Sequence, residues 1–196
     1  GKSSVMRAGL LHQLKRGEKL AGSGEWKIQI MMPGEHPMQC LARTFVDSTL
    51  SVVDKAEQQE KVEGFLERGS EGLERLINVF EISRVVIVID QFEEVFTLCE
   101  DVGKREKFLS CLLEAAEKLK GKLCLVLSMR ADFFGKCLER KYSGLGKKIE
   151  ENLVSITPMN REQLRDAIAL PAKKVKLEVE EELIGRMLNE IEGSPG

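Results

Sequence analysis

The sequence predicts an α/β fold: a parallel sheet with helices on both faces, followed by a small helical unit. Three observations carry this. Short unbroken apolar runs, led by VVIVI at 85–89, alternate with segments of helical period. The runs at 85–89 and 123–127 do not alternate apolar with polar residues, so both faces of their strands must be covered. From Asn160 onward, helical segments follow one another with no strand between them. The predicted division is an α/β core over 1–157 and the start of a helical unit over 158–196.

Residues 3–16 place Val5, Met6, Leu10, Leu11 and Leu14 at helical spacing. A Gly-rich loop, RGEKLAGSGE, follows. WKIQIMM (26–32) reads as a strand stopped by Pro33 and Gly34, with Trp26 at the edge of the core. Residues 37–53 and 57–80 read as helices, with a break near Arg68, Gly69 and Ser70. Val85–Ile89 is β-branched throughout, which suits a strand buried on both faces. Residues 104–119 are amphipathic, with Phe108, Leu112, Ala115 and Leu119 on one face. KLCLVLSM (122–129) reads as another buried strand, and a helix starts near Asp132. LVSI (153–156) reads as a short strand. Asn160 is an N-cap with Gln163 as its capping-box partner. Pro171 is expected to interrupt that helix, and 180–192 forms the last one. KKVKLEVEEE (173–182) reads as a solvated face.

Composition narrows the function. Thirty Lys and Arg face 32 Asp and Glu, a net charge of −2, so there is no electrostatic case for nucleic acid. No apolar run approaches a membrane span. Cys40, Cys99, Cys111, Cys124 and Cys137 form no C-x-x-C pair, which argues against a zinc site and favours a reducing, cytosolic setting. Cys111 and Cys124 read as small core residues. His12 and His36 have no ligand-type neighbours at metal spacing. The chain opens on Gly and stops at EGSPG, and is expected to be a piece of a longer protein at both ends.

The chemistry gathers where the strands end. In open α/β sheets, ligands bind beyond the carboxyl ends of the strands. Asp90 ends one strand, with Glu93 and Glu94 just after it, and Arg130 ends the next. Hard oxygen donors at such a tip suit Mg²⁺ together with substrate phosphates. GKSS, Gly1 to Ser4, matches the end of the loop G-x-x-x-x-G-K-[ST] and stands directly before a helix. Lys2 then reaches the β- and γ-phosphates, and Ser3 serves Mg²⁺. Each feature alone has an ordinary reading. GKSS is also a Ser-capped helix start, and Asp90 a turn residue. Glu93 and Glu94 suit a helix dipole. Arg130 suits an ion pair with Asp132 or a nearby Glu. The order of GKS, strand plus Asp, and strand plus Arg favours a nucleotide site.

DQFEE resembles the extended Walker B of the signal-transduction ATPases with numerous domains, the STAND NTPases. More closely, GKSSVMRAGLLHQL, PGEHPMQCLA, IDQFEEVFTLC, LSMRADFFGKC, TPMNREQLRDAIALPA and EGSPG resemble the novel STAND NTPase domain over residues 1–196. In bacteria that domain is often followed by WD-repeat propellers. The resemblance implies an additional-strand P-loop NTPase sheet in the order 5-1-4-3-2, then a helical lid. Strands 2 to 5 fall at 26–32, 85–90, 122–129 and 153–156, and strand 1 precedes Gly1. The isolated chain is therefore expected to be unstable and weak or inactive. Gly1, Lys2, Ser3 and Ser4 correspond to the end of Walker A. Asp90 corresponds to the acid beside Mg²⁺, Glu93 and Glu94 to the acids that orient or activate water, and Arg130 to a sensor arginine.

The implied function is an Mg²⁺-dependent ATPase whose nucleotide state controls conformation and self-association, with C-terminal repeat or sensor domains in the intact protein. A non-hydrolysing nucleotide-dependent scaffold and a metabolic phosphotransferase are the alternatives. No basic or aromatic cluster marks the second-substrate pocket that a phosphotransferase needs.

Overall fold

The computed structural model describes residues 2–139 and 142–192. The chain divides into two compact units, Gly1–Leu153 and Val154–Gly196. In the first, β1 (Lys27–Met31), β2 (Val85–Ile89) and β3 (Leu123–Leu127) form a parallel sheet in the order β1-β2-β3. The strand at 85–89 lies between the other two, as the family resemblance requires of strands 2, 3 and 4. Met31, Ile89 and Leu127 are in register, so the three carboxyl ends share one edge.

All five residues of β2 are buried, which explains the unbroken β-branched run. Val85, Ile87 and Ile89 belong to the larger core, with Leu41, Leu66, Leu73, Ile77 and Phe108. Val86 and Val88 belong to a second core, with Met6, Leu11 and Leu14 of the opening helix. Helices thus cover both sheet faces. Each such side chain stabilises the fold by about 1.5–3 kcal/mol. Parallel strands need long crossovers. Helices Pro37–Arg43, Val52–Leu66 and Ser70–Val79 span the first, and Val102–Lys118 the second.

Four expectations are corrected. The helix read at 37–53 stops at Arg43, because Asp47 accepts from the Thr49 amide in a local turn and Ser51 caps a new helix at Val52. Val52 and Val53 are exposed there rather than packed. Residues 153–156 form no strand: Leu153, Val154 and Ile156 are exposed, and among the described residues β3 pairs only with β2. An extended segment without a partner forms no ladder. Pro171 lies inside the helix Arg161–Lys174 without ending it. It falls near the helix end, and Ala167, whose carbonyl loses an amide partner, is exposed to solvent. Cys124 is exposed, whereas Cys111 is buried as expected and burial pushes its thiol up to about 12.

In the second unit Asn160 caps as expected. Its Oδ1 accepts from the Gln163 amide at 2.8 Å and its own amide donates to Gln163 Oε1 at 3.0 Å. Ile184 and Leu188 of the last helix are buried.

Helices Val52–Leu66 and Ser70–Val79 meet so closely that a Cβ on Gly72 falls 1.7 Å from the Phe65 carbonyl oxygen. Gly72→Ala should therefore destabilise the protein by about 3 kcal/mol, since neither backbone can yield freely. Gly64→Ala, where a Cβ meets nothing within 4 Å, should stabilise it by about 0.5–1 kcal/mol. Thermal melts of the two variants should move in opposite directions, and equal melts would contradict the close approach.

Candidate functional site

The shared carboxyl edge of the sheet gathers most of the residues singled out above. Asp90 follows β2 directly and is 1% exposed. Its amide donates to the Met31 carbonyl at 2.9 Å, so the strand pairing extends to the residue itself. Gln91 then takes a left-handed conformation, with φ of 53°. That conformation costs a non-glycine residue about 1–2 kcal/mol. It turns the Gln91 amide onto Asp90 Oδ1 at 3.0 Å and sends Phe92 inward. Phe92 is buried, donates its amide to the Ser128 carbonyl at 2.8 Å, and meets the Phe96 ring edge-on at 6.0 Å. The apolar residue between the acids of DQFEE is thus the anchor of the turn.

The opening helix arrives at the same edge. Ser3 Oγ donates to Asp90 Oδ1 at 2.9 Å, and Arg7 Nη2 stands 3.5 Å from Asp90 Oδ2. Ser3 and Arg7 are four residues apart and share a helix face, which widens to π-winding over Val5–Leu11. Lys2 and Ser4 are exposed at the start of that helix. Gly1 lies outside the described residues. Arg7 was not among the residues singled out from sequence. Its position four after Ser3 was the available signal.

The two glutamates are set apart. Glu94 Oε2 accepts from the Gly34 amide at 3.0 Å, tying the loop after β1 to the tip of β2. Gly34 has φ of 59°, a conformation that favours glycine. Glu93 is half-buried, and its Oε2 is buried with no hydrogen-bond partner.

Arg130 follows β3 by three residues and is exposed. Its Nε and Nη2 donate to the two carboxylate oxygens of Asp132 at 3.1 and 2.9 Å. That hydrogen bonding holds the Asp132 carboxyl below its usual range, with a smaller contribution from the charge of Lys2. The same contact raises the Arg130 guanidinium, and Glu93 adds to the effect. Lys2, Glu93, Arg130 and Asp132 therefore share one electrostatic neighbourhood. Among the described residues no hydrogen bond or ion pair joins Arg130 to Asp90.

A buried carboxylate oxygen without a hydrogen-bond partner is costly. Asp90 Oδ2 is such an atom, and among the described residues its ion-pair partner is Arg7. One carboxylate and one hydroxyl, Asp90 and Ser3, fit Mg²⁺. That ion takes one or two protein oxygens and completes its shell with waters and phosphate. The nearby helix start, with its free amides, suits an anion.

The sequence matches the family described as Novel STAND NTPase 1 over residues 1–196. No curated protein matches it.

If Glu94 positions the loop after β1, Glu94→Ala should accelerate hydrogen exchange at the Gly34 amide by about tenfold or more, since one charge-assisted bond is lost. Glu94→Gln keeps an acceptor and should exchange at nearly the wild-type rate. Unchanged exchange in Glu94→Ala would remove this role.

Proposed function

The chain belongs to the novel STAND NTPase family, and on that premise we propose that it is the Mg²⁺-dependent, ATP-binding and hydrolysing module of a signalling switch. The observation that most supports this is the Ser3–Asp90 hydrogen bond at 2.9 Å. It joins the residue after the phosphate-binding lysine to the acid at the tip of the central strand.

In this reading Gly1, Lys2, Ser3 and Ser4 cradle the phosphates with backbone amides, and Lys2 neutralises their charge. Ser3 Oγ and Asp90 hold Mg²⁺, which offsets phosphate charge when bound. Glu93, with an unused carboxylate oxygen, orients the attacking water. Glu94 supports it from behind by holding the loop after β1. Arg130 exchanges Asp132 for the γ-phosphate, a low-cost exchange because an exposed ion pair is worth only about 0–1 kcal/mol. Charge neutralisation by pre-positioned groups is the main catalytic contribution. Residues 158–196 begin a lid that reads the nucleotide state. Self-association and C-terminal repeat or sensor domains, of the WD-repeat kind in bacterial relatives, carry the output in the cytoplasm.

A nucleotide-dependent scaffold without turnover is the second reading. It is favoured by the Arg130–Asp132 pair, which occupies the sensor arginine.

In the intact protein, Asp90→Asn should weaken Mg²⁺-dependent ATP affinity by at least about tenfold, measured by calorimetry with and without Mg²⁺. Wild-type Mg²⁺ dependence in that variant would overturn the site. Glu93→Gln should keep ATP affinity and slow turnover by about a hundredfold or more. Equal, negligible turnover in both proteins would favour the scaffold.

Arg130→Ala should narrow the preference for ATP over ADP, read from the two dissociation constants. A preserved preference would leave Arg130 as the partner of Asp132 alone.

A further inference from the structure

We infer that Arg7 is a built-in competitor for the divalent cation at Asp90. Its guanidinium occupies the carboxylate oxygen that the cation takes, and must leave when Mg²⁺ and nucleotide arrive. The inference rests on the reading of Asp90 as the cation's carboxylate.

The two oxygens of Asp90 are unequally served. Oδ1 accepts from Ser3 Oγ at 2.9 Å and from the Gln91 amide at 3.0 Å. Oδ2 is buried and accepts no hydrogen bond. Among the described residues the cation paired with it is Arg7, whose Nη2 is 3.5 Å away. At that distance the contact is an ion pair, not a good hydrogen bond. Removing a carboxylate from water without a compensating charge is strongly unfavourable. Asp90 therefore needs a positive partner whenever no metal ion is bound, and Arg7 is placed to be that partner.

Arg7 is also placed to leave. Its side chain is 56% exposed, while that of Asp90 is 1% exposed. The arginine swings into water from a helix surface without unpacking any core. Both Ser3, which supplies the hydroxyl of the cation site, and Arg7 ride on the same helix, four residues apart. A helix that moves when the phosphate loop fills therefore moves the competitor with the ligand. Two cations cannot share Oδ2, so each lowers the other's affinity by the same factor. The consequence is a raised Mg²⁺ requirement for nucleotide binding, set by this chain's own residue.

The test is a Mg²⁺ titration of the intact protein with a fluorescent ATP analogue. In Arg7→Gln the half-saturating Mg²⁺ concentration should fall by about threefold, the scale of a partly exposed ion pair. Arg7→Lys keeps the charge and should stay near the wild-type midpoint. Without Mg²⁺ or nucleotide, Arg7→Gln should melt below wild type, and Mg²⁺ with the analogue should close the gap. A second measurement needs no variant of altered stability. The Nε–Hε resonance of Arg7 in the wild-type protein should move to the position of a solvated arginine when Mg²⁺ and the analogue are added. Nucleotide binding with an unchanged midpoint in Arg7→Gln, or an unmoved Arg7 resonance, would make Arg7 a structural partner only. No nucleotide binding by any of the proteins would instead overturn the reading of Asp90, and this inference with it.

Discussion

The hydrogen bond from Ser3 to Asp90 joins positions 87 residues apart and closes the first unit around its candidate site. It requires three things at once. β2 must be held rigidly, so that its tip has a defined place. The opening helix must lie on one face of the sheet with its start at the carboxyl edge. Water must be kept from the carboxylate, so that each of its oxygens depends on a named partner. The first follows from burial of all five β2 residues. The second follows from Met6, Leu11 and Leu14 packing on Val86 and Val88. The third follows from the turn at Gln91, which brings the Phe92 side chain into the core beneath the site. Stability and chemistry share one element here, because a strand buried on both faces places its terminal residue with little freedom.

The acids of DQFEE differ in surroundings although they are nearly adjacent in sequence. Asp90 points toward the opening helix and is met by a hydroxyl and a guanidinium. Glu94 lies on the β1 side and is met by a backbone amide. Glu93 keeps one buried oxygen unbonded. The burial of Phe92 between them divides the turn into two directions. A polar residue there would leave the turn without its anchor, and Gln91 without a reason to hold a positive φ.

The cations are arranged in a complementary way. Arg7 and Arg130 are both more than half exposed, and each rests against an acid in this state. Exposed pairs contribute little to stability. Such contacts keep charges close to a site while leaving them easy to redirect. The two acids differ: Asp90 is buried, whereas Asp132 is about as exposed as its partner. The exchange proposed at Asp90 would therefore move a cation around a fixed anion, and the one proposed at Arg130 would release an exposed pair.

Much of this was legible in the residues. An unbroken β-branched run marked the central strand, since only a doubly covered strand tolerates it, whereas β1 carries Lys27 and Gln29 and is only partly buried. The break at Gly69, the cap at Asn160 and the cluster at 90–94 were equally local, because turn and cap chemistry acts over a few residues. The order of GKSS and DQFEE put Ser3 and Asp90 at one edge, given a parallel sheet. What the tertiary structure alone decided were matters of partnership. Residues 153–156 have strand composition but form no strand, because a ladder needs a neighbour. Val52 and Val53 look like core residues but face solvent, because Ser51 starts a new helix there. Glu94 accepts from an amide 60 residues earlier in the chain, a partner that no local pattern shows. Arg7 looks like an ordinary helix-surface arginine, yet it faces a buried carboxylate. Local pattern states what a residue can do, and only the packed chain brings the group with which it does it.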